Sequence, residues 1–325
     1  MPRHKILKLS CAVPITLMSA SMFSIQTAAN QFLSNLSALE QRLDKSNQQV
    51  SSGLRVQTVS DDPAVVSQIL QLNAHVAANN QVKTNLSQVQ TEVNAAEAAI
   101  NTATTLMDRA AQIATQGSSS TSTVDRSQLA QQISDIATEM QQLANTQVAG
   151  RYVFSGDSDQ VAPYLPVDFS TNPTNGVGAY QGSASTRSVV DSYGGKISIS
   201  STAQDIFDGG GTPTTNSVFQ TLASLYAALT ANNPTATAQA SADLVTAANY
   251  LNGQQAQYGD IQNKISDALT AQASLDTNLR AQLSTAQDAD EAQAVIQQQT
   301  DTTALTAAET AYSSFPKKSL FDYLA

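Results

Sequence analysis

The chain is nearly empty of the side chains that do chemistry. One cysteine, Cys11, stands in 325 residues, so no disulfide framework and no cysteine metal site can form within it. Two histidines, His4 and His75, are present, and any histidine-based triad would have to use one of them. Tryptophan is absent, aromatic residues make up 5% and charged residues only 13%. A compact enzyme core leans on aromatics and branched aliphatics. Here Ala, Gln, Ser, Thr and Asn fill the gap, a mixture that suits long helices joined through thin seams with neutral amides on their other faces. The net charge of −10 argues against a nucleic-acid binder, which needs clustered Lys and Arg against phosphate. No apolar run of membrane-spanning length follows residue 30, so no membrane insertion is expected there.

What acidic and histidine residues there are read more simply as structure. No GxSxG motif, P-loop or HExxH motif occurs. Asp157 and Asp159 open like a calcium loop, with Asp168 at the twelfth place. The sixth place, however, is Ala162 where glycine is required, and the fifth is Val161. Asp62 precedes Pro63 and reads as a helix cap. His75 falls at a seam position of a predicted helix, and Asp288, Asp290 and Glu291 read as an exposed helical face. The expectation is no enzyme, no catalytic residue, no cofactor and no metal.

Heptad spacing dominates the rest. Phe32, Leu36, Leu39, Leu43 and Val50, with Ser46 in the gap, make a seam on a first helix from about Ile25 to Ser52. A second helix is predicted from Pro63 to about Gln116, with Leu72, Val82, Leu86, Val89, Val93, Ile100 and Met107 in one phase and Ala96, Ala103 and Ala110 between them. At 1.5 Å per residue it is about 80 Å long, wider than an ordinary single core, which implies a rod. A third helix is expected over Val124–Ala149, ended by Gly150 and able to fold back on the second. From Arg151 to about Ile206 the texture turns to Gly, Pro, Tyr and β-branched residues. Ser188–Tyr193 and Lys196–Ser200 flank Gly194–Gly195 as a hairpin. Helix returns over Asn216–Ala231 and then, as one long region, from about Thr237 to Phe315, with Leu244, Leu251, Tyr258 and Ile265 spaced by sevens. The predicted fold is mainly α: a long antiparallel helical rod, terminal coiled-coil helices and a central β-rich insert.

Between the first two helices, Ser51–Ala64 reads SSGLRVQTVSDDPA. Gly53 can close one helix in a left-handed turn, Asp62 caps the next, and Pro63 sits at its first position, so the stretch reads as helix, stop, extended linker, restart. In such a linker Arg55 can pair bidentately with a carboxylate of its own or a neighbouring subunit, Asp61 and Asp62 being the nearest acids. At the start of the chain, Arg3, His4, Lys5 and Lys8 precede an apolar run, Leu9–Leu17, in the outline of a secretory signal; a start at Met18 or Met22 is the alternative.

The wording of Ser51–Ala64 resembles the N-terminal signature of the flagellin superfamily. Leu143–Tyr164, LANTQVAGRYVFSGDSDQVAPY, is similar to the close of the third helix and entry to the β domain in the hook-associated branch of that superfamily. Tyr180–Phe207 resembles the same branch's β domain. Tyr258–Leu269, YGDIQNKISDAL, and the terminal SLFDYL resemble C-terminal motifs of the family, and the resemblance spans about residues 24–325.

What the resemblance implies is a structural subunit of the bacterial flagellum that joins hook to filament by helical self-assembly. It would be extracellular and exported without a cleaved signal through the flagellar type III apparatus. A flagellin filament subunit and a secreted coiled-coil adhesin are the alternatives. The implied partners are like subunits in a ring, the inner hook-associated junction protein, flagellin and a flagellar export chaperone. The expected layout is 1–23 as a signal-like extension, 24–54 as an N-terminal tube helix, 55–150 and 209–290 as the two parts of the rod, 151–208 as the insert and 291–325 as a C-terminal tube helix. The expected assembly interface is Phe32, Leu36, Leu39, Leu43, Val50, Arg55, Asp61, Asp62, Leu305, Tyr312, Leu320, Phe321 and Leu324.

Overall fold

A computed structural model describes residues 16–119, 125–191, 194–210 and 216–314. Seven helices are found among them: α1 (Thr16–Ser52), α2 (Pro63–Ser118), α3 (Arg126–Ala144), α4 (Ala203–Phe207), α5 (Val218–Thr230), α6 (Pro234–Gln287) and α7 (Glu291–Ser314). Four short strands form two hairpins, β1 (Gln147–Val148) with β2 (Arg151–Tyr152) and β3 (Ser188–Val190) with β4 (Lys196–Ser198). The chain divides into two compact units, one of residues 1–73 and 280–325 and one of residues 74–279.

In the 74–279 unit, α2 and α6 run antiparallel. Gln262 of α6 donates to Asn94 and Glu97 of α2 at 3.1 and 2.8 Å, and Gln255 reaches Asn101 farther along. The heptad residues of α2 are the buried ones: Leu86, Val93, Ile100, Ala96 and Ala103 are each 0% exposed. On α6, Leu244, Leu251, Tyr258 and Ile265 answer them. Burying such a side chain is worth about 1.5–3 kcal/mol, so this seam supplies most of the drive for pairing the two helices. Helix α3, capped by the Asp125 carboxylate at the Ser127 N–H, packs on α5. Its buried face joins the same apolar cluster.

The insert shares that cluster. Phe154, Tyr164 and Phe207 are buried together with the helical residues, among them Phe219 of α5. Phe154 meets Phe207 and Tyr258 edge to face, at centroid distances of 5.8 and 6.4 Å. Tyr164 has each of its polar atoms satisfied. Its N–H donates to Asn145 Oδ1, its carbonyl accepts from Gln141 and Asn145, and its hydroxyl donates to Asp208 at 2.5 Å. Burial raises the Asp208 carboxyl above the usual carboxylate range, opposed by the Tyr164 and Ser217 hydroxyls.

Three local features differ from the sequence reading. Helix α3 ends at Ala144 instead of Ala149, because the Asn145 side chain is committed to the Tyr164 backbone. The chain then turns in the hairpin β1–β2. Ala149 and Gly150 both have positive φ, 51° and 77°, as the two-residue turn that matches strand twist requires. Gly150 thus serves a turn and does not end a helix. The insert is also poorer in strand than its composition suggests. Between Tyr152 and Ser188 the backbone is held by turns, with Asp168 accepting from Ser170 and Thr171 in place of a ladder. The β3–β4 hairpin pairs Val189 with Ile197, and Asp191 closes its turn onto Gly195.

The third difference lies at the C-terminal region, which is two helices and not one. Asp288–Asp290 interrupt it, Asp290 caps α7 by accepting from the Gln293 N–H at 3.1 Å, and Glu291 opens the first turn of α7. These acids therefore mark a helix break and restart.

Candidate assembly site at the terminal helices

Within the 1–73 and 280–325 unit, α1 and α7 pack antiparallel. Phe32 stacks on Tyr312 with centroids 5.4 Å apart, Arg42 lies 3.6 Å from Asp301, and Asn47 accepts from Gln298 at 2.6 Å. The residues of α1 that face α7 are those of the heptad: Leu39 and Ser46 are buried and Phe32, Leu36, Leu43 and Val50 half-buried. On α7 the seam is made by Ala294, Gln298, Asp301, Ala304, Leu305 and Ala308. It is a polar seam for a coiled coil. Asp301 is 2% exposed, and no reading of apolar spacing would have found it.

Of the expected interface residues on these two packed helices, Leu39 is buried and Phe32, Leu36, Leu43, Val50 and Leu305 are half-buried. Tyr312 stacks on the Phe32 ring while staying 48% exposed. Leu320, Phe321 and Leu324 lie outside the described residues. The apolar side chains left facing outward are different ones: Leu33 on α1, and Val295 and Ile296 on α7.

The Ser51–Ala64 stretch is built onto the break between α6 and α7. Gly53, at φ 71°, closes α1 by donating to the Gln49 carbonyl, and its own carbonyl accepts from Ala289 at 2.8 Å. Leu54 bridges Asp288, and the Arg55 and Val56 amides both donate to the Gln287 carbonyl. Those bonds occupy the backbone that would otherwise continue the helix past Gln287, which is why the helix stops there. Val56, 3% exposed, anchors the loop among Ile69, Ala286, Val65, Val66 and Leu283.

Arg55 clamps the loop from two sides. Its Nη1 donates to Asp62 Oδ2 at 3.1 Å and its Nη2 to the Ala286 carbonyl at 2.9 Å. The pairing with a carboxylate is thus made to Asp62 through one nitrogen, with a backbone carbonyl as second partner. Asp62 also caps α2, accepting from the Val65 N–H. Asp61 accepts from the amides of Thr58 and Gln57 and pairs with Lys45 at 3.1 Å. Those amides, and then Lys45, hold its carboxyl well below the usual carboxylate range.

His75 is exposed on α2 instead of lying in a seam. There Leu72 and Asn79 are buried in the heptad phase, and the half-buried position between them is Val76, one residue beyond His75. Asp157, Asp159 and Asp168 do not converge: Asp159 pairs with Arg151, and Asp168 is consumed by its own turn. Among the described residues no group of three or more His, Cys, Asp or Glu is placed to hold a metal ion, and no helix is long and apolar enough to cross a membrane.

Known proteins are similar to this chain in sequence and in fold. Residues 23–159 match the bacterial flagellin N-terminal helical region. Flagellar hook-associated protein 3 of Escherichia coli (strain K12) is 28% identical over 264 residues, which span 79% of this chain and 80% of that protein. The crystal structure of Xanthomonas campestris FlgL (space group C2) matches with a TM-score of 0.56 at 18% identity, covering 66% of this chain and 99% of that one. The flagellar junction protein FlgL from Legionella pneumophila matches with a TM-score of 0.53 at 14% identity, over 68% of this chain and 99% of that one. At such identities the solved structures speak for the fold. The stretch similar to the bacterial flagellin N-terminal helical region, residues 23–159, takes in most of α1, the clamped junction loop, α2, α3 and the β1–β2 hairpin.

Proposed function

We propose that this chain is a structural subunit of the bacterial flagellum, a hook-associated protein at the junction of hook and filament, and not an enzyme. The observation that carries the reading is the similarity to hook-associated protein 3 across 79% of the chain and 80% of that protein. A match over 79% of the chain is too long to leave out the insert, which favours the junction protein over the bulk filament subunit. The place of action is the extracellular flagellum. Like copies of the chain, an inner junction protein, flagellin and an export chaperone are its partners in this reading.

The terminal helix pair is the part that joins subunits. α1 and α7 cover each other along a narrow, partly polar seam and leave Leu33, Val295 and Ile296 outside it. A helix pair with apolar residues on its outer sides is suited to burying them against further helices of the same kind. The Arg55 clamp fixes where the chain leaves α1, and hence where α2 begins.

Charge reversal tests this role. Arg55→Glu loses both bonds of the clamp and places a carboxylate beside Asp62. In a strain lacking the native gene, the variant is expected not to restore swimming, while its far-UV circular dichroism matches that of the parent. Normal swimming with full-length, attached filaments would contradict the role given to Arg55.

A further inference from the structure

We propose that Asn79 and Gln272 are a register pin: one polar pair that fixes how α2 and α6 are set against each other along their axes. Read every seventh residue of α2 and the series is Leu72, Asn79, Leu86, Val93, Ile100 and Met107. The corresponding series in α6 is Leu251, Tyr258, Ile265, Gln272 and Leu279. Each contains one amide, 193 residues apart in sequence, and the two amides meet. The Tyr258 hydroxyl, the other polar group of the series, is occupied by the Ser201 N–H.

The contact is reciprocal and buried. Gln272 Nε2 donates to the Asn79 carbonyl at 2.7 Å and to Asn79 Oδ1 at 2.5 Å, and Asn79 Nδ2 donates back to the Gln272 carbonyl at 3.4 Å. Asn79 is 5% and Gln272 0% exposed, with fully buried Leu86 and Ile265 as the next heptad neighbours. Gln272 Oε1 is buried with no hydrogen-bond partner. A buried acceptor left unmade costs stability, so two leucines would serve stability better at these sites. Amides persist in coiled-coil seams because only one alignment pairs them, whereas apolar residues repeat every heptad and pack nearly as well after a slip. This seam needs such a device, since Ala96, Ala103 and Ala110 are small knobs that resist sliding weakly. A slip of one heptad moves one helix about 10 Å along the other.

The test is a distance measurement on the full chain. Spin labels are placed at the exposed positions Lys83→Cys and Asp267→Cys, with Cys11→Ser to keep the labels unique. The parent is expected to give one narrow distance distribution. Asn79→Leu with Gln272→Leu is expected to broaden or split it, because an axial slip of about 10 Å lengthens the separation of two labels that start nearly level, while the urea midpoint stays the same or rises. Asn79→Ser with Gln272→Ser keeps polarity, removes the reciprocal bonds, and is expected to broaden it too. A narrow, unshifted distribution in either folded variant overturns the proposal. So does loss of helical signal or a lowered midpoint in the leucine variant, because that outcome makes the pair an ordinary stabilising contact.

Discussion

Replacing Arg187 with alanine is expected to destabilise the 74–279 unit by about 3 kcal/mol, at the lower end of the cost of breaking a buried ion pair. Arg187 lies at the foot of β3, and its Nη2 meets Glu92 Oε2 of α2 at 2.6 Å. The two side chains are 17% and 9% exposed. The pair ties the β3–β4 hairpin to the helix beneath it, beside an open cleft of about 460 Å³ lined by both residues. Alanine leaves the Glu92 carboxylate in that place without a counter-charge, and it is the stranded charge, more than the lost contact, that costs. Removing both charges together, as Glu92→Gln with Arg187→Met, is expected to cost much less. Urea unfolding followed by circular dichroism measures both. A loss below about 1 kcal/mol for Arg187→Ala would mean that the pair behaves as a solvated surface bridge.

An effect of similar or greater size is expected from Phe154→Ala, about 3–5 kcal/mol by the usual cost of emptying a buried aromatic site. Phe154 is 0% exposed, and it is held edge-on by Phe207 and Tyr258. Its backbone carbonyl accepts from both the Ala203 N–H and the Tyr180 hydroxyl. The ring therefore sits where the insert, α4 and α6 meet, and these elements are pinned around it by backbone bonds that resist collapse into the void. Hydrogen exchange should localise the damage: protection falls over the insert and α4, while the α1–α7 pair keeps its own. A uniform loss across both units, or no loss, would contradict the assignment of Phe154 to the insert's core.

The helices were legible because their signals are long and redundant. The seam of α2 is written by ten residues in one phase, and every one of them is buried or half-buried. The clamp at Asp62 and Pro63 was legible because a cap and a first-turn proline are local. The missed features are non-local. Helix α6 stops at Gln287 because Arg55 and Val56 take its last carbonyl, and that competition cannot be seen from the alanine- and glutamine-rich sequence around the break. Asn145 ends α3 early because a tyrosine 19 residues away binds its side chain. His75 is exposed although Leu72 and Asn79 on either side of it keep the seven-residue phase, because in that turn the half-buried position is Val76. At the terminal helices, spacing identified the α1 residues of the seam, but their partner is the chain's own α7. The polar half of that seam, Asp301 and Gln298, carried no apolar signal to read.

The claim on which the functional account rests is that this chain occupies the boundary between hook and filament. Immunogold labelling of flagella from the parent bacterium, with an antibody raised against the 74–279 unit, tests it directly. The account predicts a single short band of gold at the distal end of the hook. Label distributed along the filament, or label on the cell surface away from flagella, would contradict it.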